Sequence, residues 1–310
     1  MDKSKSVAVI GAGLMGHGIA QVFAQAGHPV VITDPDSAVL EVALERVAGN
    51  LQEEGIDPAA VVGRIRLEPR LEAAVAGADL VLEAAPEKLA LKQLLFAQIA
   101  VAAPPHAILA SNTSVIPITQ IGERLGDEAR SRLVGTHWWN PPHLVPLVEV
   151  VRSEFTRDAV FNEVFDWLLA VGKQPVKVYR DVTGFIGNRL QHALWREAIG
   201  LVEAGVCDAE AIDMVVKNSF GMRMPVLGPM ENADLVGLEL TRAVHEVLFP
   251  DLRSDSTPSP LLDHLIGAGH VGMKSGRGLR TWTADQADEV RRQLAQYLIA
   301  AAGRAPVTSR

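Results

Sequence analysis

A doubly wound α/β domain followed by an all-helical domain is the fold class this sequence predicts. Three observations predict it. Short runs rich in Val, Ile and Leu alternate with helix-patterned segments through the first half of the chain. Those runs are apolar almost throughout rather than in alternation, as strands buried on both faces are. After about Thr183 the strand pattern stops and long helical stretches take over.

The strand candidates, in order, are SVAVIGAG, HPVVITDP, GADLVLEAAP, HAILASNT, SRLVGTHWW, VPLVEVV and QPVKVYRD. Between them lie segments such as LMGHGIAQVFAQAG and DSAVLEVALERVAGNLQEEG, with apolar residues at helical spacing. Strand–helix alternation of this kind predicts a parallel sheet covered by helices on both faces. Beyond a boundary near Asp181 to Thr183 come FIGNRLQHALWREAIGLVEAG, DAEAIDMVVKNS, NADLVGLELTRAVHEVLF and DQADEVRRQLAQYLIAAAG. The expected domains are therefore 1–182, a Rossmann-type sheet, and 183–310, a helical domain.

With 310 residues, 48% of them hydrophobic, the chain is long enough for two cores. No apolar run approaches the roughly 18 residues that cross a bilayer, so no membrane is expected. The start, MDKSKSVAVIGAG, enters a strand pattern at once and breaks at glycines, which argues against a secretory signal. Cys207 is the single cysteine, so an internal disulfide is excluded and a cysteine-built metal site has no basis; no metal is expected. These features fit a reducing compartment such as the cytoplasm. Net charge is −8 with scattered basic residues, which speaks against nucleic acid as partner. A small anionic substrate stays open, because one or two local arginines suffice to bind it.

The first chemical signal is Gly11-Ala-Gly13-Leu-Met-Gly16, a G-x-G-x-x-G pattern. Its context makes it specific: the strand VAVI runs into it, a helix follows directly, and Asp34 ends the next strand. The first glycine permits a tight turn, the second lets backbone approach a pyrophosphate, and the third lets helix and strand pack closely. The helix N-terminus offers free N–H groups and a partial positive charge to phosphates. A carboxylate at Asp34 suits ribose hydroxyls and repels a 2′-phosphate, and Pro35, Asp36 and Ser37 supply no arginine to receive one. NAD is thus expected over NADP, with Gly11, Gly13, Leu14, Met15, Gly16 and Asp34 in contact with it. The competing explanation is an ordinary glycine turn that binds no nucleotide.

Three further segments carry polar residues where apolar strands end or run. Ser111-Asn112-Thr113-Ser114 follows AILA, His137-Trp138-Trp139-Asn140-Pro141-Pro142 follows RLVGT, and Glu149 sits inside LVPLVEVV. Ligands of open α/β sheets bind beyond the carboxyl ends of the strands. An ionised Glu149 among Leu147, Val148, Val150 and Val151 is costly unless paired. If the strand after the Asn-Pro-Pro turn folds back, His137 is a reachable partner.

At these residues the sequence resembles the 3-hydroxyacyl-CoA dehydrogenase family, and the resemblance spans nearly the whole chain. It includes the glycine motif, LVLEAAPEKLALK, ILASNTS, the His-aromatic-aromatic-Asn-Pro segment, LVEVV, Gly184-Phe185-Ile186-Gly187-Asn188-Arg189, and Gly228-Pro229. The resemblance implies that His137 is the general base and Glu149 the carboxylate that orients it. It implies that Ser114 and Asn188 hydrogen-bond the substrate's reacting oxygen. Glu87, Lys92, Asn112 and Asn140 match positions lining the nicotinamide half of the cofactor site. A homodimer through the helical domain is a further family expectation; Leu190, Leu194, Ile199, Leu235 and Leu238 would serve an interface or an internal core equally well.

Each residue has a plainer alternative. A lone histidine after a strand is commonly a satisfied core residue, Ser114 could cap a helix, and Trp138 and Trp139 could fill the core. His143 has no role in the family pattern and reads as rim or structural. His17, on the first turn after the glycine motif, reads as facing neighbouring chain.

The sequence also departs from the acyl-CoA members. Their lysine-rich helical excursion after the second strand is missing: Asp36 to Asp79 holds no lysine, only Arg46, Arg64, Arg66 and Arg70 among several acids. A charged CoA head would find little to hold it. Arg223, just before Gly228-Pro229, resembles the branch acting on free hydroxy acids, such as gulonate dehydrogenase and lambda-crystallin. The Asn-Pro-Pro-His run resembles a dehydrogenase of a pyridine carboxylate. The guanidinium fork suits a substrate carboxylate, with a surface or interface ion pair as the alternative. Leu279 and Arg280 replace the family's usual aromatic pair. The expected substrate is thus a 3-hydroxy acid, with a free carboxylate favoured over an acyl thioester. Two other classes stand beside it: a β-hydroxyacid dehydrogenase with a catalytic lysine, and a non-catalytic NAD-binding protein of crystallin type.

Overall fold

A computed structural model describes residues 4–302. The first half forms one eight-stranded sheet: β1 (Val7–Ile10), β2 (Val30–Thr33), β3 (Ile65–Leu67), β4 (Leu80–Glu83), β5 (Ile108–Ser111), β6 (Leu133–Trp138), β7 (Leu147–Val151) and β8 (Gln174–Val178). The strand order is β3-β2-β1-β4-β5-β6-β7-β8. The first six strands are mutually parallel and give the doubly wound order 3-2-1-4-5-6. The order reverses between β1 and β4, and it is at the carboxyl ends of such a switch point that sheets of this type bind ligands.

Buried residues on the two faces form separate clusters. Val7, Val9, Ile32, Leu82 and Val134 point to one, and Ala8, Ile10, Val81, Leu109 and Leu133 to the other. Alternate residues of the central strands β1, β4, β5 and β6 thus feed opposite cores, which is why those strand sequences are apolar almost throughout. The helices that cover them include α1 (Leu14–Gln25), which buries Ile19, Ala20, Val22 and Phe23, and Leu89–Ala102, which buries Phe96 and Ile99.

Three local features differ from the sequence expectation. β3 lies in the segment read as strand-free; it has three residues and pairs only with β2. The continuous helix expected after Asp36 breaks at Val42 into Ser37–Glu41 and Ala43–Glu53, and the one expected over NADLVGLELTRAVHEVLF breaks into Pro229–Val236 and Leu238–Leu248. The second break falls at Gly237, whose φ of 93° only glycine adopts without strain.

By packing, one unit takes the chain up to Arg189 together with the terminal helix from Ala295; the other is Leu190–Leu294. The second unit is helical, built from most of Gly187–Glu203, then Ala209–Asn218, Pro229–Val236, Leu238–Leu248, Pro260–Gly267 and the start of Ala284–Ala302. It has no sheet, and its only buried residues are Gly200 and Ala287. Among the described residues no helix is long and apolar enough to cross a membrane. No group of three His, Cys, Asp or Glu among them is placed to hold a metal ion.

Candidate active site

The connection from β6 to β7 is short, and it turns the chain back. β7 therefore runs antiparallel to β6, and the register sets His137 opposite Glu149. Nδ1 of His137 lies 2.7 Å from Oε2 of Glu149, with the two side chains 4% and 1% exposed. The other carboxylate oxygen, Oε1, accepts from the backbone N–H groups of Ile186 and Gly187 at 2.9 and 3.1 Å. Those groups open the helix Gly187–Glu203, so the carboxylate sits on a helix N-terminus. Burial alone would raise the Glu149 pKa; the bonds from His137, Gly187 and Ile186 outweigh it and hold the carboxyl below its ordinary range.

The turn that aims those two N–H groups is strained. Phe185 has φ 50°, a left-handed conformation uncommon for an aromatic residue. Its ring is buried and packs 5.7 Å from the His137 ring, with Trp139 at 5.2 Å on another side. Gly187 is required below Trp139, because a Cβ there would fall 2.4 Å from the indole. The imidazole is thus clamped by two aromatic rings, and its Nδ1 is committed to the carboxylate. Nε2 then carries the lone pair that a general base needs.

Asn188 follows Gly187 and donates from Nδ2 to the backbone carbonyl of Ser114 at 2.9 Å. Ser114 does not cap a helix: the next one begins at Ile118 with Pro117 before it, and the local cap-like bond is Ile116 N–H to Thr113 Oγ1. The Ser114 hydroxyl has no hydrogen-bond partner among the described residues. Its N–H donates to Glu87 Oε1, which also accepts from Thr113 Oγ1 and Val115 N–H. Burial acts to raise the Glu87 pKa, but these bonds and the Lys92 charge hold it low. Asn112 uses Oδ1 to accept from Trp138 N–H, which links the β5 end to the β6 end. Asn140 is exposed, on the cis bond to Pro141.

Lys92 lies behind Glu87 rather than in the open. Its ammonium is buried, 2.7 Å from Glu83 Oε1, 3.2 Å from the Ala85 carbonyl and 3.4 Å from Glu87 Oε2. Glu83 is fully buried and also accepts from Ala85 N–H and from Ser111 Oγ. Sequence reading passed over Glu83, although its signal matched that of Glu149: an acid inside a buried apolar strand. One network thus runs from His137 through Glu149, the Ile186–Gly187 turn, Asn188, Ser114 and Glu87 to Lys92.

The glycine turn fits a dinucleotide. Gly11 has φ 99° and a Cβ there would meet the Ala84 carbonyl at 2.7 Å; one on Gly16 would overlap the Gly11 carbonyl at 1.7 Å. A Cβ on Gly13 would meet nothing within 4 Å, so open space stands in front of the second glycine. Helix α1 starts there without a side-chain cap; Leu14 is exposed on its first turn and Met15 packs on the core. Asp34 accepts from Ala12 N–H at 2.8 Å through one oxygen and from Asp36 N–H through the other. That fixes the carboxylate at the end of β2, with lone pairs left for ribose hydroxyls. Arg46, read from the sequence only as one of the four cations between Asp36 and Asp79, reaches the Ala12 carbonyl at 3.4 Å and brings a guanidinium beside the turn.

Arg223 lies in the helical unit, after a short 3-10 turn, and makes no ion pair among the described residues. Arg280, in the altered Leu279-Arg280 pair, bonds Glu210 and Asp213 at 3.1 and 2.6 Å and lies over Trp282.

Comparison with known proteins identifies the family. Residues 6–182 match the family model described as 3-hydroxyacyl-CoA dehydrogenase, NAD binding domain, and residues 184–282 match its C-terminal domain. The chain is 35% identical over 302 residues to 5-formyl-3-hydroxy-2-methylpyridine 4-carboxylate 5-dehydrogenase of Mesorhizobium japonicum, covering 96% of each chain. A crystal structure of an enzyme of that name, described as an NAD+-dependent dismutase, superposes with TM-score 0.89 at 36% identity, over 97% of this chain and 99% of that one. The (S)-3-hydroxybutyryl-CoA dehydrogenase structure from Ralstonia eutropha superposes with TM-score 0.74 at 32% identity, over 91% and 100%.

Proposed function

The chain belongs to the 3-hydroxyacyl-CoA dehydrogenase family and is an NAD-dependent dehydrogenase of a CH–OH group; on that premise we propose that it oxidises a free hydroxy acid, with His137 as base. The observation that carries the reading is the buried His137–Glu149 pair, set by strand register and capped by a helix N-terminus.

In this reading NAD, when bound, supplies the hydride acceptor. Nε2 of His137 takes the hydroxyl proton. Glu149 keeps the imidazole oriented and stabilises the imidazolium that forms, so the proton transfer is less costly in a dry site. Ser114 Oγ, which has no other partner among the described residues, and the Asn188 amide hold the substrate's reacting oxygen and polarise it in the reducing direction. Glu87 and Asn112 shape the cofactor side, with Lys92 holding Glu87 in place, and Asn140 borders them. Gly11, Gly13, Leu14, Met15 and Gly16 receive the pyrophosphate, and Asp34 the adenosine ribose.

A free carboxylate is favoured over a thioester by two supports. The first is cation supply. In the span from Asp36 to Asp79, Arg46 is turned to the Ala12 carbonyl, Arg64 to the Ala60 carbonyl, and Arg66 and Arg70 to Glu68. Arg223 meanwhile has no acid partner among the described residues, and its fork suits a carboxylate. The second support is likeness in fold and sequence to an enzyme named for a pyridine carboxylate. The helical unit serves a homodimer: helices whose apolar faces are left uncovered need a partner, and a second copy provides identical ones.

The test is a panel of NAD-linked oxidations comparing 3-hydroxybutyryl-CoA with free hydroxy acids, hydroxypyridine carboxylates and sugar acids. Turnover of a free acid with kcat/KM well above that of the thioester is expected. Strong activity confined to the CoA thioester would overturn the substrate assignment and leave the family unaffected.

A further inference from the structure

Lys173 stands in the turn between the helix Asp158–Ala170 and β8, and its side chain is buried. Its ammonium donates to the carbonyl of Pro142 at 2.6 Å and to that of Val145 at 3.1 Å. Nζ also lies 5.5 Å from the centroid of the Trp138 ring. The two carbonyls lie on the short link that joins the strand of His137 to the strand of Glu149 and carries Asn140, and Trp138 is the last residue of β6 before it.

The composition of that link explains why a lysine is needed. Pro141, Pro142 and Pro146 have no N–H to offer. The Pro141 carbonyl is taken by Leu144 and Val145 N–H, and the Pro146 carbonyl by Gln174 N–H. The Pro142 and Val145 carbonyls are left to a side chain. A single long side chain with several protons can bridge both; a neutral amide or hydroxyl at this position would be too short. The cost is an ammonium out of water. Burial lowers the Lys173 pKa to about 8, with Glu54 opposing.

The other side of the link is pressed onto α1. A Cβ on Gly18 would lie 2.7 Å from Pro142 Cγ and 3.3 Å from His143 Nδ1. Polar side chains line this junction. Gln21 donates to Glu54, Asn50 donates to Gln21, and Asn50 Nδ2 lies 3.5 Å from His143. The titratable and charged groups facing Lys173 are Glu54 at the end of the helix Ala43–Glu53, beside Glu53, and His143 on the link; His17 on α1 acts on His143, and Arg46 on His17. The link is therefore wedged between Lys173 and the helix that follows the dinucleotide turn.

We propose that Lys173 is a positioning residue: it seats the Asn140–Pro146 link on α1 and thereby couples cofactor binding to the strands of the base pair. The value of that coupling for turnover rests on the His137–Glu149 reading; its effect on cofactor affinity does not.

The experiment measures NADH affinity by fluorescence titration, kcat on a substrate found in the panel, and thermal unfolding. The variants are Lys173→Met, Lys173→Arg and Gly18→Ala. Lys173→Met is expected to weaken NADH binding about fivefold or more and to lower kcat about tenfold, at temperatures where it remains folded. Lys173→Arg, which keeps charge and donors, recovers most of both. Gly18→Ala, which lifts the link from the opposite side, gives the same weakened NADH binding and serves if Lys173→Met does not fold. A folded Lys173→Met with wild-type NADH affinity and kcat overturns the proposal, as does a Gly18→Ala variant with unchanged NADH affinity. His137→Gln separates the two readings, because it leaves NADH affinity alone; activity retained there sinks the base assignment and not this one.

Discussion

His137 and Glu149 stand directly opposite each other on β6 and β7, and the 2.7 Å contact between them is a property of the ladder register. A slip of one residue would turn Glu149 to the other face of the sheet, where no imidazole waits. The pair is thus secured by backbone bonds on one side and by a helix N-terminus on the other.

Removing either partner should act on turnover and not on cofactor affinity. His137→Gln is expected to lower kcat by roughly 10²- to 10⁴-fold, the usual range of general acid–base catalysis. Glu149→Gln keeps the shape but loses the charge that stabilises the imidazolium, and a fall of about 10²-fold is expected. Steady-state kinetics beside NADH titration decide it. Wild-type kcat in either variant would remove the assignment.

Acid should weaken the fold through the same carboxylates. Glu149 and Glu87 both have folded pKa values below the ordinary 4.5. The unfolded chain therefore binds more protons in the window below 4.5, and stability falls as pH drops through it. Urea unfolding between pH 6 and pH 3.5 should show that loss, and Glu87→Gln should flatten it. An unchanged slope in the variant would mean that Glu87 contributes nothing.

Much of this site is legible in the sequence, and for physical reasons. Glycines at fixed offsets after VAVI, and an acid closing the next strand, are local patterns. Glu149 is visible because a charge inside an apolar strand needs a partner. The same logic applied to LVLE would have found Glu83. Other features depend on contacts that no local pattern records. Phe185 has no sequence mark of its left-handed backbone, and Lys173 reads as an ordinary loop lysine after Gly172. β3 escaped because three residues with an exposed arginine in the middle, and Ile65 alone buried, give no period to read.

Arg223 offers a cleaner test of substrate class than any residue near His137. If it binds a carboxylate, Arg223→Ala should raise KM for a free acid by roughly 10- to 100-fold, the range of a charge-assisted bidentate contact. For a thioester lacking that carboxylate KM should not move. Equal effects on both substrates, or none on either, would remove Arg223 from the site.

Alkaline pH should reveal Lys173. Its folded pKa of about 8 lies below the ordinary 10.5, so between those values the unfolded chain binds more protons than the folded one. Stability therefore gains as pH rises from 8 towards 10.5, by on the order of 3 kcal/mol at most. Lys173→Met lacks the group and should lack that increment. Denaturant unfolding at pH 7.5 and pH 9.5 compares the two, and identical pH dependence would contradict the burial of a charged ammonium.

The helical unit makes the last prediction. Between Leu190 and Leu294 only Gly200 and Ala287 are buried, while Leu235, Leu238 and Val244 lie exposed on the paired helices Pro229–Val236 and Leu238–Leu248, and Phe249 is exposed just beyond them. Apolar side chains left in water forgo roughly 1.5–3 kcal/mol each, and a hundred residues without a core do not hold their helices alone. A second copy covering those faces would resolve the deficit. Light scattering should therefore give twice the protomer mass at micromolar concentration. Leu235→Asp combined with Leu238→Asp should shift the mass towards the protomer and lower helicity together. A monomeric wild type with full helicity would require these helices to be stable without a covering, against their exposed apolar faces.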